Sequence, residues 1–269
     1  MPAILPIVLR SLGYIYKVKK TVLITGATSG FGEACARTFA QHNYRIILNG
    51  RRQERLQQLA QDLQQQWGAE CLPLPFDVQD RSAVFAAIEG LPQHWQQIHV
   101  LVNNAGLALG RDPFDEANLD DWETMIDTNV KGVMYVTKAA LPFLIQTGGS
   151  QIINIGSTAG KEVYQWGNAY CASKHALDAL SKSMRIDLLP HAIKVTAVHP
   201  GAADTEFSNV RFKGNEDAAR KVYEGYQPLV AQDVADIVYY TTTLPPHVCI
   251  NDLVVTSTAQ ANSFYLHKG

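Results

Sequence analysis

From Lys19 onward the chain alternates short apolar runs with longer stretches in which apolar residues return every three or four positions. The short runs cover residues 21–25, 44–49, 71–76, 100–103, 151–155, 194–198 and 252–256. They are rich in Val, Ile and Leu with little polar alternation, the pattern of parallel strands covered on both faces. Between the first two, Phe31, Ala34, Cys35 and Phe39 fall at i, i+3, i+4 and i+8 and predict an amphipathic helix. Residues 52–67 repeat Leu56, Leu59 and Leu63 among glutamines, a second helix with one wet face. Strand–helix alternation over seven strands, joined by right-handed crossovers, predicts an α/β fold: a doubly wound seven-stranded parallel sheet with helices on both faces. No internal repeat or change of composition divides the chain, so residues 19–269 read as one domain and residues 1–18 as an N-terminal extension.

Composition narrows the class. A formal charge of −2, with 18% charged and 46% apolar residues, suits a soluble globular protein and is too apolar for a disordered one. Without a basic excess no nucleic-acid partner is expected. The longest charge-free stretch, residues 139–160, contains Pro142 and a polar string at 147–151, so no membrane span is expected. Cys35, Cys71, Cys171 and Cys249 are widely spaced and form no C-x-x-C pair, which favours reduced thiols in a cytoplasm. The histidines show no close metal-ligand spacing, and no metal is expected. Residues 1–16 are mostly apolar, but Arg10 follows the apolar part and Pro6 interrupts it. A secretory signal has the opposite order. An extension packed on the domain, or the product of an upstream start codon, is the simpler reading, ahead of a weak surface anchor.

The first strand runs into Gly26-Ala27-Thr28-Ser29-Gly30-Phe31-Gly32 and then a helix. Such a turn lets backbone N–H groups approach a pyrophosphate where the helix dipole favours negative charge. The spacing is G-x-x-x-G-x-G, and no Gly-Lys-Ser/Thr of a Walker loop follows. Glycines also make tight turns without a ligand, and position at the opening of a βαβ unit tips the reading toward a dinucleotide. The second strand ends in Arg51-Arg52, where an NAD site would usually place an acid for the ribose hydroxyls. Two guanidinium groups suit a 2′-phosphate. They also suit a solvated helix start, and the missing acid points to NADP. Asp77-Val78 closes the third strand at the expected adenine edge. Asn104, Ala105 and Gly106 close the fourth with room for a cofactor, or simply with a tight turn.

Tyr170 and Lys174 stand at i and i+4 in a helical pattern and share one face. A phenol with pKa near ~10 works at neutral pH only if cations pull it down, and Lys174, aided by an oxidised nicotinamide, is the candidate. Ser157 follows the fifth strand at the carboxyl end of the sheet, where its hydroxyl can bond a carbonyl or alcohol. Its surroundings are not a G-x-S-x-G elbow, which excludes a serine hydrolase. Asn129 can hold Lys174 through water, or act as a helix-kinking or capping amide.

Together these motifs resemble the short-chain dehydrogenase/reductase family: T-G-A-T-S-G-F-G at 25–32, N-N-A-G at 103–106, Asn129, Ser157, Tyr170-x-x-x-Lys174 and Pro200-Gly201. The resemblance covers about Lys19 to the C-terminus and implies a Rossmann-type fold, an Asn129–Ser157–Tyr170–Lys174 tetrad and a homo-oligomer, dimer or tetramer. It implies cofactor contacts from the glycine turn (Gly26, Thr28, Ser29, Gly30, Phe31, Gly32), Arg51, Arg52, Asp77, Val78 and Asn104 to Gly106. Tyr170, Lys174, Pro200, Gly201, Ala202, Ala203 and Thr205 complete the implied set.

Residues 107–110, 121–129 and 205–214 resemble more narrowly the NADP-dependent 3-hydroxy acid dehydrogenases, a subgroup that includes serine 3-dehydrogenase and malonic semialdehyde reductase. Residues 1–18 have no counterpart there. Lys161-Glu162 places charges just past Ser157, with a bearing on substrate preference. The implied reaction is reversible hydride transfer between NADP and the β-carbon of a small 3-hydroxy acid. Alternatives are reduction of a neutral ketone or acyl-carrier thioester, and an NADP-binding regulatory protein without turnover. For the substrate carboxylate, Arg211 is the candidate, since a guanidinium takes a carboxylate bidentately. A solvated loop cation, or a pair with Glu206, is the competing reading.

Overall fold

The computed structural model describes residues 19–269; the extension expected at 1–18 lies outside them. In chain order come β1 (Thr21–Ile24), α1 (Gly30–Gln41), β2 (Arg45–Gly50), α2 (Gln53–Trp67), β3 (Cys71–Pro75), α3 (Arg81–Glu89) and β4 (Val100–Asn103). The second half adds α4 (Leu119–Ile126), α5 (Val133–Thr147), β5 (Gln151–Ile155), α6 (Asn168–Asp187), β6 (Lys194–Pro200), β7 (Ala203–Asp204), α7 (Glu206–Arg211), α8 (Glu216–Lys221), β8 (Leu229–Val230), α9 (Ala231–Thr242) and β9 (Asp252–Val255). All seven predicted strands form one parallel sheet in the order β3-β2-β1-β4-β5-β6-β9.

Strands that read as continuous apolar runs do so because alternate residues enter two different cores. Val22, Ile24, Ile46 and Leu48 pack on one side with Cys35 and Phe39 of α1, Leu56, Leu59 and Leu63 of α2, and Val234 of α9. Leu23, Ile47 and Leu101 pack on the other with Val84 and Ile88 of α3 and Val136 and Leu144 of α5. Each such side chain contributes roughly 1.5–3 kcal/mol on burial.

The strand order reverses between β1 and β4, where the turns after the two strands diverge and a crevice opens at their carboxyl ends. The sequence pattern did not predict β7 and β8. This two-residue parallel pair ties the start of the segment over the crevice to its end.

Candidate active site

The residues that the sequence singles out converge. Of the expected catalytic, cofactor and carboxylate residues, all but Gly32 and Asn129 line one cavity of about 650 Å³ at the crevice. Gly32 acts through packing: a Cβ there would lie 2.2 Å from the Gly26 carbonyl oxygen, so only glycine lets α1 start this close to the turn. Gly26 and Gly30 have φ of +65° and +54°, in the left-handed region that favours glycine. Ser29 caps α1 with extended backbone and no side-chain bond to the helix, leaving its first N–H groups without that acceptor. A bare helix N-terminus behind a glycine cradle fits a pyrophosphate.

Arg52 lies against this turn. Its Nε and Nη2 donate to Thr28 Oγ1 at 3.1 and 2.8 Å, and Nη2 donates to Ser29 Oγ at 3.0 Å. Arg51 is largely exposed, its Nη1 3.5 Å from Asp77 Oδ2. Two cations beside the turn, with no acid closing β2, fit a phosphate on the ribose.

At the other end of the cavity, α6 carries Tyr170 and Lys174, both buried. Lys174 Nζ donates to the Ile155 carbonyl at 3.0 Å and sits 5.9 Å from the Tyr170 ring centre. Burial lowers its pKa from the ordinary 10.5 to about 8. For Tyr170 the expected direction is reversed in the free protein. Burial pushes the phenol up and nearby Tyr164 adds to it, while Ser157 and Arg211 pull it back only in part. The reason is solvation: Met125, Ala159 and Cys171, with Trp122, Tyr164 and Phe207 beside them, make an apolar setting that disfavours phenolate more than a distant ammonium favours it.

Asn129 lies in a π-helical stretch, Asp127–Gly132, that separates α4 from α5, in keeping with a helix-distorting amide. Its side chain is fully engaged: Oδ1 accepts from the Leu107 N–H at 2.9 Å, and Nδ2 donates to the Leu107 carbonyl at 2.8 Å and to Ser173 Oγ at 3.0 Å. A Cβ on Gly106 would lie 3.2 Å from Asn129 Oδ1 and 3.4 Å from Lys174 Nζ, so the missing side chain keeps a small polar space between them. Ser157 caps a single 3-10 turn, its Oγ accepting from the Ala159 N–H at 3.1 Å.

Arg211 ends α7 with its guanidinium 5.5 Å from the Tyr170 ring centre. Its Nη1 donates to Tyr164 Oη at 3.0 Å. The competing pair with Glu206 does not form, because Glu206 binds Arg52 and Arg55 instead. Lys213, two residues further on, pairs with Asp121 at 2.7 Å.

A family model described as short chain dehydrogenase matches residues 20–216. The chain belongs to the short-chain dehydrogenase family. It is 46% identical over 241 residues to the NADP-dependent 3-hydroxy acid dehydrogenase of Escherichia coli strain K12, covering 89% of this chain and 96% of that protein. It is 47% identical over 245 residues to sulfoacetaldehyde reductase 2 of Chromohalobacter salexigens, covering 91% and 96%. Among solved structures, the closed form of serine dehydrogenase complexed with NADP+ matches with a TM-score of 0.86 and 44% identity, over 93% of this chain and all of that one.

Several features of this short-chain dehydrogenase were not foreseen. Tyr164 and Arg111 line the cavity beside Tyr170, and Gln260, Ser263, Leu266 and Lys268 close one wall from the C-terminal segment. Gln260 is buried, with Oε1 accepting from the Ala202 N–H at 2.8 Å. An aromatic six residues before Tyr170 was the one available signal for Tyr164. The tail carries no periodic pattern at all. Lys161 and Glu162 are corrected: neither lines the cavity. Lys161 Nζ lies 2.7 Å from both Asp178 and Asp252, and Glu162 accepts from the Ser263 N–H at 2.8 Å. Their charges are consumed by the framework and do not face the substrate space. No helix among the described residues is long and apolar enough to cross a membrane.

Proposed function

We propose that this enzyme transfers a hydride reversibly between NADP and the β-carbon of a small 3-hydroxy acid of the serine, allo-threonine or 3-hydroxypropionate type. The observation that carries the reading is Arg211, a cation held at the Tyr170 ring and aimed by Tyr164. A small hydroxy acid has little apolar surface, so its carboxylate must supply much of the binding and orientation. A guanidinium beside the acid/base phenol sets the hydroxyl carbon near it. The relatives' names, a 3-hydroxy acid dehydrogenase and a sulfoacetaldehyde reductase, agree in pairing an anionic group with a nearby alcohol or aldehyde.

NADP supplies the hydride acceptor or donor; the rest falls to the chain. Gly26, Thr28, Ser29, Gly30 and Phe31 hold the pyrophosphate end, with Gly32 letting the helix close on it. Arg51 and Arg52 hold the ribose phosphate, and Asp77 and Val78 meet the adenine edge. Asn104 to Gly106, and Pro200 to Ala203 with Thr205, flank the nicotinamide end. In oxidation the Ser157 hydroxyl bonds the substrate oxygen and Tyr170 Oη takes its proton. Lys174 takes that proton on through a relay water that Asn129 anchors in the small polar space at Gly106. In reduction the phenol donates, the form that burial favours in the free protein. Residues 19–269 act as one catalytic unit, as a homo-oligomer (dimer or tetramer) in the cytoplasm. A neutral-ketone reductase would leave Arg211 without a partner of opposite charge in the ternary complex.

The test is NADP+ reduction by the purified protein across L-serine, D-serine, L-allo-threonine, 3-hydroxyisobutyrate, 3-hydroxypropionate and a neutral secondary alcohol. Turnover concentrated on the acids supports the proposal. Turnover of the neutral alcohol alone overturns it.

A further inference from the structure

One acid stands where the cofactor reading leaves no work for it. Glu206, the first residue of α7, places Oε2 3.1 Å from Arg52 Nη1 and Oε1 3.0 Å from Arg55 Nη1. The rest of the Arg52 fork is committed to Thr28 and Ser29, so Nη1 is the edge that Glu206 occupies. All three side chains are half-exposed, and none lies in a closed core. The bridge spans more than 150 residues of sequence and ties the start of α7 to the start of α2 beside the glycine turn. Thr205, next to it, is also close to the glycine turn: a Cβ on Gly30 would meet Thr205 Cβ at 3.4 Å. Partial burial pushes the Glu206 carboxyl upward, but hydrogen bonds and charge from Arg52 and Arg55 outweigh it and hold the group below its usual range, as a carboxylate.

A carboxylate in a doubly cationic site is a stand-in for a more highly charged anion. We propose that Glu206 is a residue that sets cofactor selectivity, competing with the 2′-phosphate of NADP(H) for Arg52 and thereby limiting the preference for NADP(H) over NAD(H). The proposal rests on the assignment of Arg52 to that phosphate. When the phosphate arrives, a dianion replaces a monoanion on Nη1, and Arg55 keeps Glu206 on the far side. Binding of the phosphorylated dinucleotide therefore includes the cost of breaking one ion pair and of bringing two like charges together. NAD(H), lacking the phosphate, leaves the pair intact and meets neither cost. Arg55 is the second half of the device: by sharing the carboxylate, it lowers the hold of Glu206 on Arg52.

The experiment is fluorescence titration of NADPH and NADH into the ligand-free wild type, Glu206→Gln and Arg55→Met, at low and high salt. Glutamine keeps the shape and removes the charge. Glu206→Gln is expected to bind NADPH about three- to tenfold more tightly, with NADH unchanged, the range set by screened attraction at a half-exposed site. The gain should shrink as salt rises. Arg55→Met is expected to move the preference the opposite way. An unchanged or reduced NADPH/NADH preference in Glu206→Gln overturns the proposal. Wild type and Glu206→Gln that both lack a preference for NADPH refute the assignment of Arg52 to the phosphate itself. A wild type that prefers NADPH, with a silent Glu206→Gln, refutes only the role of Glu206.

Discussion

Replacing Lys174 by methionine should make the ligand-free protein more stable at neutral pH while removing its activity. Burial takes the Lys174 ammonium from its ordinary 10.5 to about 8. At roughly 1.4 kcal/mol per tenfold in acidity, the buried cation is disfavoured by about 3 kcal/mol. Methionine removes that cost at nearly the same volume, but the Ile155 carbonyl loses its donor at 3.0 Å, a loss of about 1 kcal/mol. The net gain is about 2 kcal/mol at pH 7. The sign with pH follows from linkage. The folded-state value lies below the unfolded one, so between pH 8 and 10.5 the unfolded chain binds more protons and wild-type stability rises. The penalty is complete below pH 8 and gone above 10.5. There the variant should fall about 1 kcal/mol below wild type, having lost only the hydrogen bond. Urea unfolding of ligand-free protein at pH 7, 9 and 10.5, at one protein concentration, measures the difference. Cys35 and Cys71, whose thiols burial pushes up to about 12, titrate in both proteins and cancel. A variant less stable than wild type at pH 7, or a difference that does not change with pH, refutes the reasoning.

Three further outcomes follow from the same geometry. Tyr170→Phe should lower turnover roughly 10²–10⁴-fold with NADPH binding nearly unchanged, because the ring packing stays and only the proton carrier goes; rapid-mix turnover with a parallel cofactor titration checks it. Arg51→Ala combined with Arg52→Ala should weaken NADPH binding about ten- to hundredfold and leave NADH almost untouched, as nicotinamide fluorescence reads directly. In Gly32→Ala the new methyl meets the Gly26 carbonyl, which already accepts from Asn104 Nδ2 at 3.1 Å, so the turn must open. Calorimetry should then show NADPH and NADH affinity falling together, by at least about tenfold.

How much of this was legible before the fold depended on the range of the interaction. The seven strands were, because residues such as Leu23 and Ile47 are apolar for one core and their neighbours for the other, leaving no polar alternation to blur the run. The Tyr170–Lys174 face and the glycine turn were, because helical spacing and local backbone geometry are properties of a few adjacent residues. The direction of the Tyr170 shift was not: it depends on Met125, Tyr164 and Phe207, which the fold brings together from separate elements. Lys161 could not be assigned because its partners Asp178 and Asp252 lie 17 and 91 residues away. The freedom of Arg211 from Glu206 depended on Arg52 and Arg55, which reach that carboxylate from more than 150 residues away in the chain. The C-terminal wall of the cavity is built from turns and one isolated bridge, Gln260 with Leu266, and such contacts leave no periodicity to read.

The proposed reaction turns on a carboxylate read by Arg211 beside Tyr170. Steady-state NADP+ reduction on 3-hydroxypropionate and on its neutral amide, 3-hydroxypropanamide, tests this most directly, with wild type and Arg211→Ala compared. The two substrates match in size and differ in charge. A charge-assisted pair is worth about 1.5–3 kcal/mol, so wild-type kcat/KM should favour the acid by roughly ten- to hundredfold, and Arg211→Ala should erase that preference. Equal rates on the two substrates in wild type, or a preference for the acid that survives Arg211→Ala, would contradict it.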